Sequence, residues 1–324
     1  MRFVSCLGVT AISIAASLLM APVVPAQSYP SKPVRFVVPF PPGGGTDTVA
    51  RILGQKVSEA WSEQVIIDNR SGAQGTIGTA HVAKAAPDGY TLVLAYVGTM
   101  TIAPWLYKDL GYDPLRDFAH VTQVSSQPLL IVVHPSVPAR NMKELVALAR
   151  SNPDRLTYGT TGQFPQMAGE LFKAMTRTRM IHVPYKGSGP ATTDLLGGHI
   201  MLTFASPAGT WAQVKAGRLR ALIVTGSTRL SALPDVLTAR EAGYPDLEMS
   251  GWYGVSVPAH TPREIVAKIN TEFSRAVALP QVKERLNQSG IDPVGNSSEE
   301  FTAYVKAEYE RWGKIVKQSG VKAE

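Results

Sequence analysis

Cysteine is almost absent from this chain of 324 residues, and its single example, Cys6, lies near the start. A mature chain that begins after the first 26 residues has no thiol. Without cysteine there is no disulfide framework, no thiolate ligand for a metal and no cysteine nucleophile. Stability then depends on a hydrophobic core, and about 298 residues are enough to form one, in what the length suggests are two domains.

Blocks of like charge are also missing. The sequence has 32 basic and 25 acidic residues, a formal net charge of +7, and these residues are scattered along the chain. Without a Lys/Arg block, no nucleic-acid partner is expected. A mild attraction for small anions is the more natural consequence of this balance.

The sequence lacks the usual patterns of catalytic and metal-binding residues. Its six histidines show neither i,i+4 nor HExxH spacing, so we expect no zinc site and no resident cofactor. Ser188 in "KGSGP" lacks the first glycine of a nucleophile elbow. Lone histidines such as His182 and His199 are interpreted as hydrogen-bonded structural residues, and no catalytic residue is assigned. Asp194 either touches a ligand or is bonded to nearby backbone or solvent.

The first 26 residues predict a secretory signal peptide. Arg2 is followed by an uncharged apolar run, and Val24 and Ala26 occupy positions −3 and −1 of a plausible cleavage site. Two prolines, Pro22 and Pro25, argue against a retained anchor helix. We expect export to the periplasm, cleavage near Ala26 and a soluble monomeric product.

The rest of the chain alternates short apolar runs with helical patterns. This alternation predicts an α/β fold with parallel sheets and helices on both faces. Two long apolar runs, Phe118 to His134 and Met249 to Pro258, interrupt it. We interpret them as two strands that cross between two α/β lobes. Lobe 1 then comprises residues 27–127 and 251–324, lobe 2 comprises residues 128–250, and the C-terminal helices dock on either lobe.

A glycine-rich loop follows the first predicted strand, in "VVPFPPGGGTDTVARIL". It has no lysine for a phosphate loop, and Thr48 takes the place of the third glycine of a dinucleotide fingerprint. Asp47 would repel a phosphate dianion and is interpreted as an N-cap or first-turn residue. The unpaired N–H groups of such a loop suit a carboxylate, although the loop is also explained as a tight turn. A valine at Gly44 is expected to force the loop away from positive φ, to crowd a ligand, or both.

Three further loops share this character: "NRSGAQGTIGTAH", "YGTTGQFPQ" and "FASPAGT". Each follows a predicted strand and precedes a helix, and two of the four loops come from each proposed lobe. Ligands in open α/β sheets bind at the carboxyl ends of strands. We therefore expect the four loops to face each other across a cleft. Tyr185 is a candidate for lining this cleft, whereas Lys186 is expected to be exposed to solvent, as surface lysines usually are. Trp252 and Tyr253 are expected to pack at the crossing strand.

Several motifs carry a family likeness that runs from about Tyr29 to the C-terminus. They include "PFPPGGGTDTVAR", "PDGYTL", "IHVPYKGSGPATTDLLGGHI", "EAGYPDLE", "GWYGVSVPAHTP" and "YERWGKIVKQSGVK". Together they resemble the Bug-type periplasmic solute-binding proteins of tripartite tricarboxylate transporters. The resemblance implies a type II periplasmic binding protein: two α/β lobes, two crossing strands and a ligand cleft. It also implies a non-catalytic receptor for a mono-, di- or tricarboxylate, aliphatic or aromatic, that delivers this small organic acid to membrane transporter subunits.

The resemblance, together with the cleft reasoning for Tyr185, implicates a set of ligand-binding residues: Phe40, Gly43, Gly44, Gly45, Thr46, Asp47, Ser71, Gly75, Thr76, Thr99, Thr160, Thr161, Gly162, Gln163, Tyr185, Ser206, Pro207 and Ala208. Two departures from the family pattern are visible. Gln166-Met167 stand where a His-Leu pair is usual, and Leu237 replaces a proline. A co-receptor for a sensor kinase and an exported enzyme that uses the same cleft are the alternatives.

Overall fold

The computed structural model describes residues 29–319 and residue 321. The predicted signal peptide and its cleavage near Ala26 lie outside these residues. The first sheet has the spatial order β11-β4-β10-β3-β1-β2. Its strands are β1 (Val34–Val38), β2 (Val65–Asn69), β3 (Thr91–Tyr96), β4 (Phe118–Pro128), β10 (Ser250–Pro258) and β11 (Asp292–Pro293).

The second sheet has the order β7-β6-β8-β5-β9. Its strands are β5 (Leu130–Val133), β6 (Thr157–Thr160), β7 (Ile181–Pro184), β8 (Leu202–Ala205) and β9 (Arg220–Val224). Both sheets are mixed, which corrects the expectation of parallel sheets. The pairs β1/β2, β1/β3, β6/β7 and β6/β8 are parallel, whereas β4, β5 and β10 pair antiparallel to their neighbours. The chain passes between the sheets at β4, β5 and β10, whereas β11 pairs antiparallel with β4 at the edge of the first sheet.

Helices connect the strands and cover the sheets. They are α1 (Gly45–Trp61), α2 (Thr76–Ala83), α3 (Ala103–Leu106), α4 (Met142–Ser151), α5 (Gln163–Thr176), α6 (Ser188–Leu196), α7 (Pro207–Lys215), α8 (Arg263–Ala278), α9 (Pro280–Gln288) and α10 (Ser298–Ser319). One face of α1 packs into the core, since Val49, Leu53 and Val57 are fully buried. Within residues 29–319 no helix is both long and apolar enough to cross a membrane.

The two crossing segments are confirmed as the links between the sheets. The long apolar run divides at Leu129, so that β4 belongs to the first sheet and β5 to the second. The chain returns just before β10, where the Met249 N–H still bonds to Thr225 beside β9. This is the type II periplasmic-binding-protein architecture. Sheet membership supports the proposed lobes, residues 27–127 with 251–324 and residues 128–250, which stay a proposal.

The C-terminal helix contacts elements of both sheets. Phe301 of α10 packs edge-on against Trp252 of β10, with ring centroids 5.4 Å apart. Farther along the helix, Trp312 packs edge-on against Phe164 of α5, with centroids 5.8 Å apart. Helix α5 follows β6 of the second sheet. Helix α10 therefore packs on the first sheet and also contacts a helix that belongs to the second sheet.

Candidate ligand-binding site

A cavity lies between the two sheets, beside the carboxyl ends of β1, β6 and β8. It is lined by Phe40, Pro41, Gly44, Gly45, Thr46, Tyr96, Gln127, Leu129, Thr161, Phe164, Pro165, Gly187, Ser188, Ser206 and Tyr253. All of these lining residues are uncharged. The cavity has a volume of about 40 Å³. The walls therefore stand close together, and the cavity suits a small molecule.

Glycines allow the walls to approach each other. A β-carbon on Gly44 would lie 3.3 Å from the Ser188 hydroxyl oxygen, across the cleft. A β-carbon on Gly187 would lie 3.1 Å from Pro41 in the same way. Gly44 itself has φ of −90°, and the positive φ of this loop belongs to Gly43 at +88°. The expectation that valine at Gly44 would violate a positive φ is wrong, and close approach is what Gly44 permits.

Four helices begin at the cavity. Gly44, Gly162, Gly187 and Ser206 are the N-cap residues of α1, α5, α6 and α7, and none of them makes a side-chain capping bond. By contrast, the Asn141 side chain of α4, away from the cavity, accepts a hydrogen bond from the Glu144 N–H. The first N–H groups of a helix have no intrahelical acceptor and sit at the positive end of its dipole. The cavity is thus electropositive without a cationic side chain.

Two polar side chains add donors. The buried Ser206 hydroxyl has no hydrogen-bond partner within the described part of the chain. It lies 3.1 Å from the position that a β-carbon on Gly45 would take. Gln127 accepts a 3.2 Å bond from the Ser125 hydroxyl through its side-chain oxygen, which leaves its amide NH₂ as the group that can donate.

Two tyrosines close the cavity on the side of the first sheet. Burial raises the pKa of Tyr96 and of Tyr253 far above the ordinary value, and the neighbouring Tyr253 phenol raises the pKa of Tyr96 further. The nearby backbone of Phe164 acts in the opposite direction, but burial dominates. Both tyrosines are therefore neutral and offer no negative charge that would repel an anion.

Asp47 fixes the glycine-rich loop from behind the cavity wall. Its carboxylate accepts hydrogen bonds from the Gly43 N–H at 3.0 Å, Arg51 Nε at 2.9 Å and Asn69 Nδ2 at 3.1 Å. Asn69 also donates to the Phe40 carbonyl at 3.0 Å. Asp47 is a first-turn residue of α1, and Gly44 is the N-cap. Burial opposes the charge of Asp47, but the bonds from Arg51, Gly43 and Asn69 outweigh it and lower the pKa of the carboxyl.

Asp47→Asn is expected to reduce the free energy of unfolding at pH 7 by about 1.5–3 kcal/mol, because a buried carboxylate loses charge-assisted bonds. Arg51 is 54% exposed, so little of this comes from the ion pair. Since folding lowers this pKa, the contribution is complete above the unfolded value of about 3.9 and is lost as the pH falls below it. Urea unfolding at pH 7 and pH 3.5 measures both effects. A difference between wild type and variant that stays constant with pH would contradict this role.

The structure brings six of the sequence-predicted residues to the cavity wall: Phe40, Gly44, Gly45, Thr46, Thr161 and Ser206. Several others pack directly behind it. β-Carbons on Gly75 and Gly162 would lie 3.1 and 3.5 Å from the Phe40 ring, and one on Gly45 would lie 3.8 Å from Ala208. The Thr99 hydroxyl donates to the Tyr96 carbonyl at 3.2 Å. The Gln163 side-chain amide is fully buried beside Gly98 and has no partner within residues 29–319.

The remaining predicted residues make other contacts. Thr160 bonds to His182 Nε2 at 2.6 Å, and Thr76 donates to the Ala73 carbonyl at 2.9 Å. Tyr185 donates to Asp194 at 2.6 Å, and burial together with this carboxylate raises the pKa of Tyr185 to about 12. Ser71 is exposed in the loop after β2. Pro207 starts α7 and faces Gly290. None of these five residues lines the cavity.

Nine lining residues were absent from the predicted set: Pro41, Tyr96, Gln127, Leu129, Phe164, Pro165, Gly187, Ser188 and Tyr253. Gly187 and Ser188 begin α6, which "KGSGP" does signal, because Gly and Ser followed by an early Pro mark a helix start. Ser188 was considered only as a nucleophile. Tyr253 was expected to pack at the crossing strand, and its hydroxyl also reaches the position of Gly45. No local signal points to Tyr96 or Gln127.

No group of three or more His, Cys, Asp or Glu side chains in the described ranges could hold a metal ion.

Comparison with known proteins gives a consistent set of relatives. Residues 49–321 match the family described as "Tripartite tricarboxylate transporter family receptor". Among curated proteins, a UPF0065 protein in the TAR-I ttuE-ttuC' intergenic region of Agrobacterium vitis is 38% identical over 94% of this chain and 91% of its own length. Protein BugT of Bordetella pertussis is 33% identical over 99% of both chains.

Solved structures of periplasmic binding proteins are similar to this chain in fold and sequence. The periplasmic binding protein BugD superposes with a TM-score of 0.86 at 35% identity, covering 91% of this chain and 100% of that one. R. palustris Rpa4515, solved with adipate, gives 0.88 at 36% identity, with 91% and 99% covered. MatC (Rpa3494) from Rhodopseudomonas palustris, with bound malate, gives 0.84 at 32% identity, with 89% and 100% covered.

Proposed function

Because this chain belongs to the tripartite tricarboxylate transporter family of receptors, we propose that it is a periplasmic receptor that binds a small organic carboxylate and delivers it to a membrane transporter. The observation that carries the proposal is the convergence of four helix N-termini, none capped by a side chain, on a cavity with no charged lining residue.

Helix N-termini are suited to this ligand for two reasons. Their unpaired N–H groups point along the helix axis toward the ligand, and the dipole favours negative charge. Such fixed donors bind the anion without the entropy cost of ordering long lysine or arginine side chains. The loop held by Asp47 presents α1 in this way, and the Ser206 hydroxyl supplies a further donor.

The relatives support the same ligand chemistry. Two structures of similar fold are described with adipate and with malate, both of them organic acids. Lobe closure is part of the proposal. Because the sheets are joined at Leu129 and just before Ser250, a hinge at these two crossings would open the cavity to solvent and close it over the ligand.

A panel of carboxylates is expected to contain at least one that raises the melting temperature of the purified protein. A ligand present at about 100 times its dissociation constant stabilises the folded state by roughly 2.7 kcal/mol. Thermal shift followed by titration calorimetry measures this stabilisation and the expected one-to-one stoichiometry. Amines of the same carbon skeletons are the matched controls and should have no effect. Stabilisation by the amines and not by the acids would contradict a carboxylate site.

A receptor returns its ligand unchanged. Mass spectrometry of the acid after long incubation with the protein is expected to show no product, and a product would favour the exported enzyme. Delivery is tested separately, because loss of the gene should abolish uptake of the acid identified by the panel. Uptake that continues unchanged would leave a binding protein without the transport role.

A further inference from the structure

The second sheet has an edge that lies opposite the cavity. Strands β6, β7, β8 and β9 run in one direction and β5 runs in the other, so the starts of those four strands and the end of β5 lie together. The cavity residues Leu129, Thr161 and Ser206 lie at the other edge, just before β5 and just after β6 and β8. We call the residues that precede β6, β7, β8 and β9 and that follow β5 the distal end. This surface is separate from the proposed carboxylate site.

The distal end is basic. Asp154, the acidic residue closest to its arginines in sequence, already pairs with Arg179 at 2.7 Å. Residues 128–250 hold 13 basic and 8 acidic residues, so most of the net charge of +7 belongs to them. Five arginines lie at or shortly before a strand start: Arg155, Arg177, Arg179, Arg218 and Arg220.

Three of these arginines are available to a partner. Arg155, Arg177 and Arg218 are exposed and form no ion pair and no side-chain hydrogen bond within residues 29–319. His134, at the end of β5, adds a donor. The Ser136 N–H donates to His134 Nδ1 at 3.2 Å, so Nε2 is the nitrogen that carries the proton of the neutral ring.

A pocket of about 240 Å³ opens in the middle of the distal end, at β6, β8 and β5. Arg155 and His134 belong to its lining. In the order β7-β6-β8-β5-β9, Arg177 lies before β7 on one side of the pocket and Arg218 lies before β9 on the other. Six of the eleven lining residues are apolar: Val137, Pro138, Leu148, Leu156, Ile200 and Met201.

The apolar surface continues beyond the pocket. Met201 on its wall is 37% exposed, and Ile181 at the start of β7 is 46% exposed. Exposed apolar surface that is bordered by polar residues is typical of an interaction site. The distal end thus combines an apolar pocket with arginines on both of its sides.

This combination suits a segment of another protein better than a lipid surface. The planar guanidinium pairs with a carboxylate through two parallel hydrogen bonds, and arginine is enriched in protein interfaces whereas lysine is depleted. The five cations at these strand starts are all arginines. An anionic membrane attracts lysine and arginine alike, and it offers no side chain that would fill a pocket.

From this arrangement we propose that the distal end is a docking surface for a partner protein. The partner supplies an acidic segment whose carboxylates pair with Arg155, Arg177 and Arg218 and whose single apolar side chain enters the pocket beside Met201. Under the proposed function this partner is the membrane transporter, and that identification rests on the proposed function.

Peptide binding tests the docking surface on the wild-type protein. The probe is a fluorescein-labelled peptide of sequence Glu-Asp-Leu-Asp-Glu, and its control carries serine in place of leucine. Fluorescence anisotropy at low ionic strength measures both affinities. We expect the leucine peptide to bind roughly tenfold more tightly, because its apolar side chain leaves water when it enters the pocket.

Arg155→Glu is expected to weaken binding of the leucine peptide by roughly tenfold or more, because attraction at the pocket becomes repulsion. Arg263→Glu is the matched control with the same change in net charge. Arg263 is exposed at the start of α8, beside the first sheet, and makes no ion pair within the described part of the chain. The affinity of this variant should be unchanged. Circular dichroism establishes that both variants fold.

The absence of leucine-peptide binding, equal binding of the serine peptide, or equal losses in the two variants would each overturn the docking surface. Phosphatidylglycerol vesicles and analytical sedimentation detect the other occupants. If the protein ignores the peptide but binds these vesicles, and Arg155→Glu abolishes that binding, the proposal is overturned in favour of a membrane. A dimer that Arg155→Glu dissociates, again without peptide binding, overturns it in favour of a second copy of this chain.

The transporter as the partner is tested separately from carboxylate binding. In cells that take up the acid identified by the panel, Arg155→Glu is expected to lower uptake, although calorimetry should give the wild-type affinity for that acid. Unchanged uptake would overturn the transporter as the partner. Absence of carboxylate binding by the wild type would instead overturn the proposed function, whereas the peptide result decides the docking surface in either case.

Discussion

Gly45→Val is expected to weaken carboxylate binding by roughly 10- to 150-fold, which corresponds to the loss of one charge-assisted hydrogen bond of about 1.5–3 kcal/mol. Even a β-carbon added at Gly45 would lie 3.1 Å from both the Ser206 hydroxyl oxygen and the Tyr253 hydroxyl oxygen. The larger valine side chain must displace these groups and also enter the space in front of the α1 N-terminus. Titration calorimetry with the tightest acid from the panel measures the loss.

Lys186→Ala is the matched control for this change. Lys186 is exposed in the loop before α6 and does not line the cavity, so its removal is expected to cost under about 0.5 kcal/mol. A site anchored by lysine would give the reverse order, with a large loss at Lys186 and a small one at Gly45. Unchanged affinity in Gly45→Val would show that the glycine-rich loop is only a turn. Circular dichroism of both variants establishes that they fold.

Gly78→Ala is expected to destabilise the protein by about 1–3 kcal/mol or more, as overpacking of a tight contact does. A β-carbon on Gly78 would lie 2.5 Å from the Arg70 carbonyl oxygen and 3.0 Å from Pro39 Cα. Both contacts are with backbone, so no side chain can rotate away. The helix α2 would have to move off the ends of β1 and β2. Chemical denaturation measures the loss as a lower midpoint.

Gly189→Ala provides the control for the same substitution. Gly189 lies in the first turn of α6, and a β-carbon there would meet no atom within 4 Å. Alanine is a better helix former than glycine, so this variant is expected to be neutral or more stable by up to about 1 kcal/mol. Equal stability of the two variants would contradict the close approach at Gly78. Pro39 precedes Phe40 of the cavity wall, so a shift of Pro39 in Gly78→Ala should also move Phe40 and weaken ligand binding. Titration calorimetry with the tightest acid from the panel detects this loss.

The sequence alone determined the fold class. Alternation of apolar runs and helical patterns is a local property, so it places strands such as β1 and helices such as α1 without knowledge of the rest of the chain. The run from Phe118 to His134 is too long for one strand, and this length alone indicated a crossing between lobes. Missing catalytic and metal-binding patterns, together with the glycine-rich loops, favoured a carboxylate site over a phosphate loop.

The tertiary structure decided which residues form the cavity wall. The loop from Ser71 to Thr76 has the same composition as the others but lies behind Phe40, because Gly75 packs on that ring. Tyr96, Gln127 and Tyr253 reach the cavity from strands, where the side that faces the cleft depends on the register of strand pairing across the sheet. That register joins residues more than a hundred positions apart, and no local pattern records it.

The start of α6 shows the same limit most clearly. A glycine, a serine and a proline signal a helix start, but they do not tell which other helix starts lie beside it. That Ser188 faces Gly44 follows from how the two sheets are joined at Leu129 and before Ser250. The sequence thus indicated that several glycine-rich loops each lead into a helix. Only the packing of the two sheets brought the starts of α1, α5, α6 and α7 to one cavity, because convergence depends on long-range geometry.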